Sequence, residues 1–144
     1  MNVLVLIIGL ISFLGLFAGF FLAKITSYEL KDGQKYFLIV RKALFLIICA
    51  LAVYESGYLF IAIGILLIGS LLFLAKDFSD LMFAVLIFPI AISSSVTIPA
   101  LVFFYALVDS AILVHNKFDW LDILKKRFYF PLLLVLLYFS LQLF

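Results

Sequence analysis

The sequence predicts an all-α integral membrane protein, a compact bundle of six short transmembrane helices. Of its 144 residues, 69% are hydrophobic and the mean hydropathy is +1.40, whereas soluble domains are roughly 45–50% apolar. Long apolar tracts have lengths that fit one or two crossings of a hydrocarbon core about 30 Å thick. Basic residues cluster between these tracts. A soluble fold is excluded, because too few polar residues remain to cover its surface.

The lysines and arginines fall into clusters that can all lie on one side of the membrane. The clusters are Lys24, Lys31, Lys35, Arg41 and Lys42; then Lys76 alone; then Lys117, Lys125, Lys126 and Arg127. Basic residues near the ends of spans favour the cytoplasmic side. We therefore expect a multi-pass protein of the cell membrane with cytoplasmic basic loops and both termini outside. Since no basic residue precedes the first apolar tract, we expect an uncleaved span there, not a secretory signal.

The spans are predicted to form one polytopic transmembrane domain over residues 1–144. They cover about 3–23, 36–54, 58–75, 81–96, 98–114 and 129–144. Between the first two spans we expect an inner loop holding at most a short helix, which Asp32 and Gly33 would end because glycine adopts positive φ at little cost.

The apolar tract from 81 to 114 is too long for one crossing. As a single helix its 34 residues would extend about 51 Å, whereas two halves of about 25 Å are short but sufficient spans. We favour a tight hairpin that turns near Ser94–Ile98, where Pro99 and a serine cluster lie. The alternative is a re-entrant or broken pair of half-helices, which gives the same charge topology.

Small residues form a stripe along the first span. Ser12, Gly15, Gly19 and Ala23 recur at helical spacing, and small residues let a second helix backbone approach closely. We expect this stripe to pack inside the bundle. The alternative is an interface with a second copy of the chain or with another membrane protein.

Asp109 is the most informative polar residue, since it lies about 8 Å inside the fifth span by helical rise. An unpaired carboxylate at that depth costs about 2–3 kcal/mol. Arg41 and Lys42 have a similar predicted depth, so we expect Asp109 to pair with one of them, or all three to line a polar pocket that opens inward. The alternative is that both cations extend to the lipid headgroups. Ser94 and Thr97 could extend such a pathway, but we favour helix back-bonding or a solvated turn as their explanation.

No catalytic residue, metal ligand or cofactor is predicted. Cys49 and His115 stand alone, and glycine-rich phosphate loops and HExxH patterns are absent. Nucleic acid is not an expected partner, because the basic residues flank spans; the lipid bilayer is. The sequence thus favours a non-enzymatic structural or accessory protein that acts through helix packing. The alternatives are a small ion- or proton-coupled transporter or channel that uses Asp109, and a lipid-handling enzyme at the inner interface.

Overall fold

The computed structural model describes residues 3–56, 82–83, 85–92 and 95–142, and this part of the chain is helical with no strand. Its helices are α1 (Val3–Phe13), α2 (Gly15–Ile25), α3 (Ser27–Ser56), α4 (Ile87–Ile92), α5 (Thr97–His115), α6 (Trp120–Arg127) and α7 (Tyr129–Gln142). The prediction of an all-α chain is confirmed for these residues. The predicted third span, Lys76 and Ser94 lie outside the described residues, as do parts of the predicted fourth span.

Three segments among the described residues are long and apolar enough to cross a membrane. They are Ile7–Ile25 with 19 residues, Gly33–Glu55 with 23 and Thr97–His115 with 19. These segments correspond to the predicted first, second and fifth spans. At 1.5 Å per residue each extends about 28 Å or more, which matches a hydrocarbon core.

The first of these segments is interrupted at Leu14, between α1 and α2. The Leu14 N–H donates to the Ile11 carbonyl at 2.9 Å, a tightened turn. The Ser12 hydroxyl donates to the Gly9 carbonyl at 2.5 Å, and Gly15 follows the break. Serine hydroxyls that bond back to the preceding turn bend helices, and so do Gly/Ser pairs. Helices α1 and α2 both pack along α5.

The second segment belongs to a longer helix than the sequence predicts. We expected a helix end at Asp32 and Gly33, and this was wrong, since α3 runs without a break from Ser27 to Ser56. A glycine inside a helix costs only about 1 kcal/mol, and each residue added to an existing helix gains a hydrogen bond. A β-carbon on Gly33 would lie 3.3 Å from the Phe37 ring. The long apolar helix therefore propagates through Gly33 into the basic segment before it.

Helix α5 lies at the centre of the fold. In its membrane-length segment 61% of the residues are buried, against 39% and 28% in the other two. It packs against α1, α2 and α3, with Pro99 in its first turn, where a missing N–H costs least. The aromatic rings of Phe45, Tyr105, Phe83 and Phe130 form a chain of contacts in the core, with centroids 4.9 to 6.3 Å apart.

Contacts between small and aromatic residues fix the relative directions of the helices. β-Carbons added at Gly15 and Gly19 would meet the carbonyls of Phe103 and Leu107 respectively, so α2 and α5 run parallel at van der Waals distance. Helices α1 and α7 are antiparallel, since Gly9 approaches Leu134 whereas Phe13 stacks on Phe130 at 6.2 Å.

Helices α3 and α5 are antiparallel and in register. Arg41 contacts Asp109 near one end of the pair. At the other end, the Ser95 hydroxyl donates to the Glu55 carboxylate at 2.5 Å. Both contacts are separated by 14 residues along each chain segment (41 to 55 and 95 to 109), about 21 Å of helix. Helix α5 therefore begins at the level where α3 ends.

Candidate functional site

Asp109 lies on the fourth turn of α5 and has no exposed surface. The next residue, Ser110, is also fully buried, and its hydroxyl donates to the Leu16 carbonyl of α2 at 2.8 Å. A buried carboxylate is stable only where partners replace its water. The surroundings of Asp109 therefore decide what it can do.

Two arginines from two other helices bind Asp109 through both carboxylate oxygens. The Arg41 Nη1 of α3 donates to Oδ1 at 3.0 Å. The Arg127 Nε and Nη2 of α6 donate to Oδ2 at 3.0 Å and 2.7 Å. Arg127 is fully buried and Arg41 is 8% exposed. We call Asp109, Arg41 and Arg127 the ion-pair cluster; its charge-assisted bonds fasten α3, α5 and α6 at one point.

Arg127 reaches Asp109 because the chain reverses sharply after α5. Lys117 has a φ of 66°, its N–H donates to the Val114 carbonyl at 3.0 Å, and the Phe118 N–H donates to the Leu113 carbonyl at 3.1 Å. This is a Schellman motif, which normally has glycine at the left-handed position and an apolar contact across it. Leu113 and Phe118 supply that contact. The reversal brings α6 back against the bundle.

Two aromatic residues, Phe83 and Tyr105, lie beside the ion-pair cluster. The Arg127 guanidinium lies 4.9 Å from the centroid of the Phe83 ring, a cation–π contact that is stronger when desolvated. Tyr105 is one turn before Asp109 and fully buried. The Tyr105 hydroxyl and the Arg41 Nε have no hydrogen-bond partner in the part of the chain that is described. Asp109 is thus fully bonded, whereas these two neighbouring polar atoms have no described partner.

The structure places the other predicted polar residues differently. Lys42, half-buried, follows Arg41 on α3, and Arg41 is the residue of the two that makes a bond to Asp109. Thr97 is exposed at the first position of α5, twelve residues and about 18 Å of helix from Asp109. Ser94 is outside the described residues. Thr97 therefore does not join Asp109 in one polar site.

Sequence reasoning missed Arg127 as a partner and treated it as one of the basic residues at a span end. One signal was present: the chain has two arginines, Arg41 and Arg127, among its ten basic residues, and both bind Asp109. Arginine presents a planar fork of donors that matches a carboxylate, whereas lysine is a strongly hydrated point charge. The choice of arginine at these positions fits buried pairing better than contact with headgroups.

The small-residue stripe predicted on the first span lies inside the chain's own fold. Ser12, Gly15, Gly19 and Ala23 are all buried. Gly15 and Gly19 lie against the α5 backbone, and Ala23 packs with Ala111. The stripe thus serves the packing of α1 and α2 on α5.

The ion-pair cluster has little chemistry available to it. Both oxygens of Asp109 already accept bonds from guanidinium groups, so the carboxylate is not free to act as a base or a cation ligand. Among the described residues, no group of three or more His, Cys, Asp or Glu side chains could hold a metal ion. The arrangement is suited to holding helices together.

Comparisons with known proteins identify no relative of the chain. No protein-family model, no curated protein and no solved structure matches the chain.

Proposed function

We propose that the chain is a multi-pass membrane protein with a structural or accessory role, acting through helix packing in a larger assembly. One observation carries the proposal: the central carboxylate, Asp109, has no exposed surface and is bonded on both oxygens by Arg41 and Arg127. An intramembrane ionisable residue is a functional candidate by default. Here its partners come from the same chain, so it serves the chain's own architecture.

A carrier that used Asp109 would need access from water to its carboxylate. Asp109 has no exposed surface, and it lines neither of two surface grooves formed by described residues, one beside Phe17 and Trp120 and one beside Pro131 and Val135. Moving an ion or proton through Asp109 would require breaking two buried arginine contacts. This favours the structural role over the transporter.

We propose six crossings in the cell membrane, with the basic loops cytoplasmic and both termini outside. The helix directions support this, because α2 and α5 run one way whereas α3 and α7 run the other. The Ser95–Glu55 bond supports a full hairpin over a re-entrant pair, since it carries the start of α5 to the far end of α3. Arg41, Asp109 and Arg127 then share one depth near the inner side.

The faces available to a partner are the outward apolar ones. The small-residue stripe is used within the chain, whereas Ile39 and Leu46 on α3 and Leu136 and Phe139 on α7 are 41% to 63% exposed. These residues face either lipid or another membrane protein. In the assembly that we propose, a partner membrane protein binds the chain through these residues.

The topology is tested by labelling single cysteines with a membrane-impermeant maleimide in a Cys49→Ala background. We expect Lys31→Cys, Lys76→Cys and Lys125→Cys to react from the cytoplasmic side alone. Ser140→Cys, near the end of α7, is the opposite-side control. Reaction of any one lysine position from outside would rule out six crossings.

The accessory role is tested with the wild-type chain. We expect a tagged chain to co-purify with a defined membrane partner in mild detergent. We also expect proteoliposomes loaded with a pH-sensitive dye to show no proton or K⁺ flux above that of empty vesicles. A flux above that background would contradict the accessory role and favour a transporter.

A further inference from the structure

The face of α2 largely opposite the small-residue stripe carries a second pattern. Phe17, Phe20, Phe21 and Lys24 follow one another at positions i, i+3, i+4 and i+7, which places them on one side of a helix. Three aromatic rings therefore lead along α2 to one ammonium group in its last turn.

Trp120, at the start of α6, closes this face into a groove. Its indole lies 4.1 Å from the Phe17 ring centroid and 5.3 Å from that of Phe20. The groove has a volume of about 260 Å³ and is lined by Phe17, Phe20, Phe21, Lys24 and Trp120. Its wall is apolar and aromatic, and its end is cationic.

The Lys24 ammonium is available to a ligand. Lys24 is exposed, its Nζ lies 4.7 Å from the Phe20 ring centroid, and it makes no ion pair with a carboxylate of the described ranges. The cation–π contact holds the ammonium at the mouth of the groove without neutralising it.

Exposed cations outnumber exposed acids on the chain segment that contains Trp120. Lys117, Lys125 and Lys126 are exposed on the connection to α6 and on α6, against the exposed acids Asp119 and Asp122. In the proposed topology this region lies at the cytoplasmic headgroups, where tryptophan is enriched and anionic lipids concentrate.

We propose that the groove binds an anionic phospholipid of the inner leaflet, with its phosphate at Lys24 and an acyl chain along Phe17, Phe20 and Trp120. The groove demands a ligand with an apolar tail and an anionic head. A neutral hydrocarbon chain would leave the ammonium unused, and a free phosphate would leave the aromatic wall unused. The inference rests on the membrane placement proposed above.

The chain's one tryptophan lines the groove, so its fluorescence reports occupancy directly. We would reconstitute the full chain in phosphatidylcholine vesicles containing increasing fractions of dibrominated phosphatidylglycerol or dibrominated phosphatidylcholine, whose bromines quench Trp120 on contact. One lysine near the membrane surface contributes about 1 kcal/mol toward an anionic lipid, roughly a fivefold preference. We expect Lys24→Gln to lower the phosphatidylglycerol preference about fivefold, and Lys24→Arg to retain it.

Lys125→Gln is the matched control, because it removes one exposed charge of α6 outside the groove. An unchanged preference in Lys24→Gln would overturn the proposal, and so would an equal loss in Lys125→Gln, which would show general surface attraction. Relief of quenching by inorganic phosphate at constant ionic strength would identify free phosphate as the ligand and also overturn it. Absence of quenching by either brominated lipid in the wild type would instead refute the membrane placement itself.

Discussion

Replacing Asp109 by Asn should destabilise the fold more than any other single loss of charge. The amide keeps the size of the side chain but removes the negative charge that Asp109 provides to the buried Arg127 and the nearly buried Arg41. Removing one partner of a buried ion pair costs about 3–5 kcal/mol, because the other charge stays desolvated. We expect Asp109→Asn to lower the free energy of unfolding by about this amount.

The structure also ranks the three members of the ion-pair cluster. Arg127 is fully buried and donates twice to one oxygen, whereas Arg41 donates once and is 8% exposed. Arg127→Gln should therefore cost nearly as much as Asp109→Asn, and Arg41→Gln about 1.5–3 kcal/mol, the range for one bond to a charged group. Arg41 can also extend toward the headgroups when Asp109 is lost.

The assay is reversible unfolding by SDS in dodecylmaltoside micelles, followed by Trp120 fluorescence. Asp122→Asn is the control, since Asp122 is exposed on α6 and surface changes usually stay within about 0.5 kcal/mol. A double-mutant cycle of Asp109→Asn with Arg127→Gln should show the double variant losing less than the sum of the singles. If Asp109→Asn unfolds at the same SDS fraction as Asp122→Asn, the reasoning about the buried cluster is refuted.

Four further substitutions are tested with the same unfolding assay. Lys117→Gly should stabilise the fold by about 1 kcal/mol, since glycine carries no penalty at positive φ; a loss of stability would mean that the Lys117 side chain contributes there. Gly19→Ala should cost about 1–3 kcal/mol, because its β-carbon would meet the α5 backbone at Leu107. Gly33→Ala should instead gain about 0.5–1 kcal/mol, and equal effects at the two glycines would contradict the close approach of α2 to α5. Tyr105→Phe should be neutral or stabilising, because it removes a buried hydroxyl without a described partner; a large loss would reveal a bond to that hydroxyl.

The similar level of Asp109 and Arg41 could be predicted from the sequence, because helical rise converts residue number into distance along a predicted span. Once the basic clusters set the inner ends of the spans, Asp109 and Arg41 had to lie at similar levels, and the structure brings them to 3.0 Å. The small-residue stripe was equally readable, since helical spacing alone places Gly15 and Gly19 on one face.

The position of Arg127 could not be predicted, because it depends on a turn that breaks a local preference. A Schellman motif is recognised by glycine or asparagine at the left-handed position, yet here Lys117 occupies it and Asn116 precedes it. A sequence rule would set the turn one residue early, which would rotate α6 and send Arg127 elsewhere. The helix break at Leu14 could not be predicted either, because no proline lies near it in the sequence.

The helix that passes through Gly33 illustrates a different limit. Glycine next to aspartate usually marks a turn, but its cost of about 1 kcal/mol inside a helix is small beside the cooperativity of a long helix. Local propensity is a weak signal wherever an apolar helix of this length is already forming. Among the described residues, the predicted first, second and fifth spans therefore coincide with long apolar helices, whereas the predicted helix end at Gly33 was wrong.

The polar residues of α5 explain how such an apolar chain selects one packing arrangement. Apolar helices in lipid gain little by choosing one apolar neighbour over another, so directional bonds and close approach of small residues decide their register. Asp109 binds α3 and α6, and the adjacent Ser110 binds the α2 backbone, so two consecutive residues fix α5 relative to three other helices. The Ser95–Glu55 bond, 14 residues away, fixes the far end. A protein that works by presenting a rigid apolar surface to a partner needs this kind of internal registration, and it needs no accessible carboxylate.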